Sequence, residues 1–204
     1  PRGELNAAFM RAFVVQAAGI CARGHELVVV TSGAVGAGRG ELEFSREKKN
    51  IPYRQALAAV GQGVLMEKYR ELFASRGIIV AQALLTNYDF SNRENFLNTK
   101  NVFELLMKKG VVPVVNENDV TTIAELKFGD NDMLSAKTAA MVSADFLCIV
   151  TDVDGLFKED PKANPDAEII PRVEEVSDSI RALAKGARTS RSLGGMVTKL
   201  EAAS

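Results

Sequence analysis

Four short apolar runs recur along the chain, and each is preceded by a longer segment with helical periodicity. The runs cover residues 27–30, 78–85, 111–115 and 146–150. The third run is apolar at consecutive positions, which is typical of a parallel strand buried on both faces. The pattern predicts four parallel strands in an α/β fold.

The helical segments that separate these runs are predicted over residues 4–23, 53–76, 93–109 and 132–143. Three of them stop at a glycine, the usual C-terminal signal of a helix: Gly24, Gly77 and Gly110. Helices between strands imply right-handed crossovers, so we predict a three-layer α/β/α sandwich around a mainly parallel sheet. The charged stretch 41–50 and the Pro-containing stretch 158–171 are predicted surface insertions or hairpins.

Neither end of the sequence carries the signals of a domain boundary. A helical pattern begins at residue 4 with no strand before it, and the pattern that begins after Gly195 reaches residue 204 without a C-cap signal. We therefore expect residues 1–204 to form one domain that is incomplete at both ends.

Composition narrows the classes of protein. The chain has 204 residues, 47% of them apolar, and 25 basic against 26 acidic residues without a basic stripe, which disfavours DNA as a partner. No apolar run approaches the roughly 20 residues that span a bilayer, and no secretory signal begins the chain. Cys21 and Cys148 lie far apart beside apolar residues, so we predict reduced, buried thiols and a cytoplasmic protein without membrane contact.

Small residues follow the first strand directly at Ser32, Gly33 and Ala34. Such residues let a ligand approach the backbone, and the Ser32 hydroxyl can donate to a carboxylate or a phosphate. The pattern favours an anion-binding turn, with a tight strand-to-helix turn that binds nothing as the alternative.

A cluster of carboxylates and carboxamides begins where the third strand ends. Asn116, Asn118 and Asp119 follow that strand, and Asn131 and Asp132 open the next helical segment. A single residue of this kind caps a helix, but ligands of open α/β sheets bind beyond the carboxyl ends of strands. The cluster therefore indicates a binding site.

Two further segments have residues suited to a nucleotide. Thr151 and Asp152 follow the fourth run, without the spacing of a calcium loop, so we predict no metal ligands there. The segment is predicted to be a turn that either contacts a nucleotide or caps the sheet edge. Gly194 and Gly195 precede Thr198 and Lys199 at a helix start, a weak phosphate-binding signal that is not a Walker A loop. Taken alone, this motif favours a plain helix start over a phosphate site. The lone His25 is predicted to be a surface residue, and the sequence has neither a zinc cluster nor a Ser-His-Asp triad. The glycines and Lys199, together with the carboxylate and carboxamide cluster, favour phosphoryl transfer instead.

The motifs, taken in order, resemble those of the glutamate 5-kinase family within the wider amino-acid kinase group. They are Val30-Thr31-Ser32-Gly33-Ala34, Ala58-Ala59-Val60-Gly61-Gln62, Asn116-Glu117-Asn118-Asp119, Phe128-Gly129-Asp130-Asn131-Asp132, Leu156-Phe157 after Thr151-Asp152, and Gly194-Gly195-Met196-Val197-Thr198-Lys199-Leu200. The resemblance covers nearly the whole chain. It implies the amino-acid kinase fold, here without its first strand and its C-terminal strands.

The resemblance also implies a reaction, in which ATP with Mg²⁺ phosphorylates the γ-carboxylate of L-glutamate to L-glutamyl 5-phosphate, the first step of proline biosynthesis. Asp132 would organise the catalytic lysines, and Lys199 would neutralise charge on the transferred phosphoryl group. The residues that would bind glutamate are Ser32, Gly33, Ala34, Asn116, Asp119 and Asn131. The residues that would bind ATP are Thr151, Asp152, Leu193, Gly194, Gly195, Met196, Val197, Thr198 and Lys199.

Two departures from the family pattern are present. The N-terminal strand with its Lys-x-Gly-Ser turn and catalytic lysine is missing, and Ser192-Leu193 stands where the family usually has Gly-Thr. The resemblance further implies feedback inhibition by proline, sensed around residues 118–127. We also expect a homo-oligomer, a dimer or a tetramer, located in mitochondria if the chain belongs to a bifunctional eukaryotic synthase. The alternatives are a related kinase of aspartate or acetylglutamate, and a non-catalytic amino-acid-sensing module.

Overall fold

The computed structural model describes residues 5–42, 50–122, 131–159, 163–186 and 196–204. Backbone contacts divide the chain into two compact units, Pro1–Lys127 and Phe128–Ser204. The first unit contains a sheet with helices around it. The second contains helices and a short hairpin.

The sheet of the first unit has three parallel strands, β1 (Val29–Val30), β2 (Val80–Leu85) and β3 (Val112–Glu117). Their order is β1-β3-β2, so β3 is central, and every residue of β3 is buried. The prediction of an α/β fold with parallel strands is confirmed for three of the four apolar runs. The first of these is shorter than predicted, with ladder pairing only at its last two residues.

Among the described residues of this unit, five helices accompany the sheet, and three of them match the predicted helical segments. They are α1 (Ala7–Ala22), α2 (Ala34–Glu41), α3 (Ile51–Ala74), α4 (Asn87–Ser91) and α5 (Arg93–Lys108). The predicted glycine stops are confirmed, since Gly24, Gly77 and Gly110 have φ of +83°, +72° and +70°, a left-handed conformation that glycine adopts without a steric penalty.

The core of the first unit forms where α1 and α3 pack against the sheet. Its buried members come from both helices, from β1 and β3 and from the start of α2: Met10, Val14, Ala17, Val29, Ala34, Leu65, Tyr69, Phe73, Val112 and Val114. Burial of a large apolar side chain contributes about 1.5–3 kcal/mol. This core therefore fixes the strands whose carboxyl ends carry the predicted polar residues.

The helices α2 and α3 meet at backbone distance through two glycines. A Cβ added to Gly61 would lie 1.8 Å from the Ala34 carbonyl oxygen, and one added to Gly38 would lie 2.0 Å from the Leu57 carbonyl oxygen. No side chain fits at either position. The contact therefore holds the start of α2, and the turn before it, against α3.

The second unit contains α6 (Asn131–Met141), α7 (Asp178–Gly186) and α8 (Met196–Ala203). An antiparallel bridge pairs Phe157 with Ile169, and an ion pair joins Lys158 to Glu168 beside it. The hairpin predicted for residues 158–171 is therefore confirmed in its paired part. The charged stretch 41–50 lies mostly outside the described residues.

Two predictions about residues 146–150 are wrong. No ladder joins this segment to a strand among the described residues, and Phe146 is 92% exposed. An apolar sequence becomes a strand only where another backbone satisfies its N–H and C=O groups. Cys148, in the same segment, is exposed rather than buried, and Cys21 is only partly buried.

Candidate active site

The turn that follows β1 places Ser32 and Gly33 at the start of α2. The Thr31 amide donates to the Val115 carbonyl at 2.9 Å, so the sheet pairing continues to this residue. Gly33 is the N-cap of α2 with φ of +106°, a conformation that disfavours any other residue. Ser32 and Gly33 are exposed and Ala34 is buried. The segment is therefore a tight strand-to-helix turn. Whether it also binds an anion, as the sequence predicts, is not tested by this geometry and stays a prediction.

Asn116 lies at the carboxyl end of β3 and is held on both sides of its carboxamide. Its Oδ1 accepts from the Glu117 amide at 2.9 Å, and its Nδ2 donates to Gln62 Oε1 at 2.9 Å. Both side chains are buried, with 3% of Asn116 and 8% of Gln62 exposed. The carboxamide of Asn116 is therefore fixed in one orientation.

Asp119 belongs to a tight turn that follows Asn116 directly. The Asp119 amide donates to the Glu117 carbonyl at 3.0 Å, and the Thr122 hydroxyl donates to the Asn118 carbonyl at 2.7 Å. Gln55 of α3 donates to the Val120 carbonyl at 3.2 Å and thereby ties the turn to the helix. Residues 118–122 are thus hydrogen-bonded, and residues 123–127 of the predicted proline-sensing segment lie outside the described residues.

The predicted substrate residues of the first unit follow neighbouring parallel strands. The register pairs Val30 with Val115, so the turn at Ser32 and the carboxamide of Asn116 come next at the same sheet edge. This is the edge at which ligands of open α/β sheets bind.

The second unit brings together Asp132, Thr198 and Lys199. Lys199 Nζ lies 3.2 Å and 2.9 Å from the two carboxylate oxygens of Asp132, and the Thr198 hydroxyl donates to Oδ2 at 3.0 Å. Asp132 is in the first turn of α6, where the helix dipole favours negative charge. Only 11% of the Asp132 side chain and 21% of the Lys199 side chain are exposed. The partly desolvated ammonium group of Lys199 is therefore held in place by the Asp132 carboxylate.

The other residues predicted to bind the nucleotide lie away from the Asp132–Lys199 pair in sequence, at the start of α8, or outside the described residues. Thr151 and Asp152 are exposed and follow no strand, because the segment before them is not paired. Met196 and Val197 begin α8 just before Thr198. Leu193, Gly194 and Gly195, like residues 128–130, lie outside the described residues.

Known proteins that are similar to this chain identify its family. Residues 3–204 match the model of the amino acid kinase family. The chain belongs to the amino acid kinase family. It is 49% identical over 201 residues to a glutamate 5-kinase of Caldanaerobacter subterraneus subsp. tengcongensis, covering 98% of this chain and 54% of that protein. It is 45% identical over 203 residues to a glutamate 5-kinase of Clostridium acetobutylicum, covering 100% of this chain and 76% of that protein.

A further relative is named glutamate 5-kinase 2, from Bacillus licheniformis, with 42% identity over 200 residues and 98% of this chain covered. The chain spans about half the length of two of these curated relatives, 54% of the Caldanaerobacter protein and 54% of the Bacillus licheniformis protein. The family resemblance read from the sequence motifs is thus confirmed.

Two residues of this amino acid kinase were given no role by sequence reasoning. Gln62 was only part of a quoted motif, yet it is a buried polar residue between buried Ala58 and Leu65 on one face of α3, a pattern that flags a polar contact. Tyr69 lies seven residues after Gln62 in α3, and its hydroxyl is hydrogen-bonded to the Thr31 hydroxyl at 2.9 Å. Burial raises the pKa of Tyr69, and the hydrogen bond with Thr31 opposes this to a smaller extent.

Two further kinds of site are absent from the described part of this amino acid kinase. Within it, no group of three His, Cys, Asp or Glu side chains is placed to hold a metal ion. None of its described helices is both long and apolar enough to cross a membrane.

Proposed function

We propose that the intact protein transfers the γ-phosphoryl group of ATP to the γ-carboxylate of L-glutamate, giving L-glutamyl 5-phosphate and ADP. The observation that carries the proposal is the Asp132–Lys199 pair, which holds an ammonium group in a partly desolvated position. The choice of glutamate rests on the relatives, which are named glutamate 5-kinases.

Lys199 has the chemistry that phosphoryl transfer requires. The transition state spreads negative charge over the phosphoryl oxygens, so catalysis depends on positioning and charge neutralisation. An ammonium group has three donors, and contact with the two oxygens of Asp132 leaves it directed by the protein rather than by water. We propose that Asp132 positions Lys199 and that Lys199 contacts the transferred group.

No general base is needed in this reaction. The ordinary pKa of a glutamate carboxyl is about 4.3, so the nucleophile is already ionised at neutral pH. The protein has only to hold it, and we propose that Ser32, Gly33 and Ala34, with Asn116, Asp119 and Asn131, supply the donors and acceptors for the amino acid.

Nucleotide and metal belong to the same proposal. Thr151, Asp152 and residues 193–199 would bind ATP. Magnesium is usually held by one or two carboxylates together with substrate phosphates. We propose that Mg²⁺ accompanies the nucleotide and is held chiefly by its phosphates.

The remaining parts of the proposal concern regulation and context. We propose that proline competes with glutamate for its pocket, that the protein is a cytoplasmic homo-oligomer, and that its reaction serves proline biosynthesis. The names of the relatives support glutamate as the substrate and say nothing of pathway, regulation or assembly. Proline that leaves glutamate binding unchanged in a calorimetric competition would contradict the first of these points.

The experiment that tests the function is glutamate-dependent ATP consumption with magnesium, with the acyl phosphate trapped by hydroxylamine. Hydroxamate formed with L-glutamate and not with L-aspartate is the expected result. Preference for aspartate would assign the protein to a different acid, and glutamate binding without turnover would indicate an amino-acid sensor.

A further inference from the structure

Gln62 is placed by α3 at the sheet edge where the amino acid is proposed to bind. It lies directly after Gly61, whose backbone contacts Ala34 at the start of α2. Its side chain reaches the end of β3, where Oε1 accepts from Asn116 Nδ2 at 2.9 Å. Gln62 therefore connects the two strand ends that carry the predicted substrate residues of the first unit.

The hydrogen bonds around Asn116 determine which atom of Gln62 is left over. The Glu117 amide needs an acceptor and finds Asn116 Oδ1 at 2.9 Å, so the Asn116 NH₂ group must point the other way. That group is a donor and requires an acceptor, which makes the facing atom of Gln62 its oxygen. The Nε2 of Gln62 is consequently a donor directed elsewhere.

This Nε2 group is buried and has no hydrogen-bond partner among the described residues. Of the whole Gln62 residue, 8% is exposed. A buried donor without an acceptor destabilises a fold, and native proteins keep such groups mainly where a ligand or water completes them. An acceptor is therefore expected at this position in the working protein.

We propose that Gln62 is a substrate-binding residue, whose Nε2 donates a hydrogen bond to a carboxylate oxygen of the amino acid while its Oε1 holds Asn116 in place. The inference rests on the proposed function, because it takes the ligand to be L-glutamate. Glutamate offers carboxylate acceptors and one ammonium donor, and only a carboxylate complements Nε2. Gln62 thus helps select an acid at this sheet edge.

Two variants separate the donor from the contact with Asn116. Gln62→Glu keeps an acceptor for Asn116 but replaces the donor with an oxygen that repels a carboxylate. Gln62→Met removes both hydrogen-bonding groups at nearly the same volume and adds no charge. Gln16→Glu, the same chemical change at an exposed position of α1, is the matched control.

The test measures hydroxamate formation by the intact protein over a range of glutamate and ATP concentrations, with thermal melting recorded for each variant. A hydrogen bond to a carboxylate corresponds to a loss on the order of ten- to a hundred-fold, so the KM for glutamate should rise by that factor in both Gln62 variants. The rise should be larger in Gln62→Glu. The KM for ATP and kcat should stay within about twofold, and Gln16→Glu should match the wild type.

Two results would overturn the inference. One is an unchanged KM for glutamate in the variants that melt as cooperatively as the wild type. The other is a fall in kcat together with a rise in the KM values for both glutamate and ATP, which would mean that Gln62 only supports the fold. Failure of the proposed function is seen separately, since the wild type itself would then form no glutamate hydroxamate.

Discussion

The glycine contact between α2 and α3 yields the sharpest prediction about stability. In Gly61→Ala the new Cβ would lie 1.8 Å from the Ala34 carbonyl oxygen and 2.3 Å from the Gly38 nitrogen, whereas real Cβ atoms stay beyond 3.0 Å. Both contacts are with backbone, so the helices must separate by about 1 Å. Because both clashes are with backbone, overpacking here should cost about 3 kcal/mol, the upper end of its usual range, and alanine returns roughly 1 kcal/mol of helix propensity. We expect the variant to be destabilised by about 2 kcal/mol.

The matched control is Gly63→Ala, two residues along the same helix. Gly63 is exposed and a Cβ there meets nothing within 4 Å, so helix propensity alone applies and the variant should gain about 1 kcal/mol. The free energy of unfolding, measured in urea on both variants, should therefore differ by about 3 kcal/mol.

Activity should follow the same displacement. A misplacement of about 1 Å costs on the order of a hundred-fold in rate, and Ala34 belongs to the proposed glutamate turn. Gly61→Ala should therefore lose kcat/KM for glutamate, and Gly63→Ala should keep it. Equal stability and equal activity of the two variants would refute the close approach of α2 and α3.

Three further predictions address the site and its surroundings. Asp132→Asn should lower kcat on the order of a hundred- to a thousand-fold, because Lys199 loses the charge that holds it. Asp166→Asn, at an exposed position, is the control. Turnover of Asp132→Asn at the wild-type rate would remove Asp132 from the mechanism. Ser32→Ala should raise the KM for glutamate with kcat little changed, since an exposed hydroxyl donor is lost, and an unaltered glutamate dependence would make Ser32 a turn residue only. Tyr69→Phe should lose roughly 1 kcal/mol of stability at neutral pH. Burial raises the folded-state pKa of Tyr69, so the stabilisation by its neutral form is fully present below about pH 10. This stabilisation is lost as the pH rises through the folded pKa. Above about pH 10, the stability of the wild type should therefore fall more steeply than that of Tyr69→Phe. Parallel alkaline unfolding curves would contradict the assignment.

The sequence predicted those elements whose signals are local. β3 was recognisable because residues 111–115 are apolar without interruption, and the helix ends at Gly24, Gly77 and Gly110 because only glycine is relaxed at positive φ. Asn116 and Asp119 were found because polar residues abruptly follow a buried strand. These inferences need no knowledge of the tertiary structure.

The parts that were missed depend on contacts between distant segments. Residues 34–38 contain two glycines and have poor helix propensity, yet α2 forms there because Gly38 and Gly61 allow two helices to touch. Residues 146–150 have the composition of a strand but no ladder partner among the described residues.

The site contacts were beyond sequence reasoning for the same reason. The Asp132–Lys199 and Gln62–Asn116 pairs each join residues far apart in the chain, and no periodicity relates them. Only the family resemblance assigned Asp132 and Lys199 a joint role. That joint role stays a prediction for Asp132→Asn to test.

The strand order β1-β3-β2 also has a consequence for the synthesis of the protein. The strand that comes last of the three in sequence occupies the centre, so β1 and β2 have no ladder partner in this sheet until β3 has formed. During translation the ladder among these three strands can therefore form only after β3 has emerged, and unpaired strand edges are prone to pair with other chains. Pairings between distant segments also form slowly. Closure of this three-stranded ladder should accordingly wait until residue 117 has emerged.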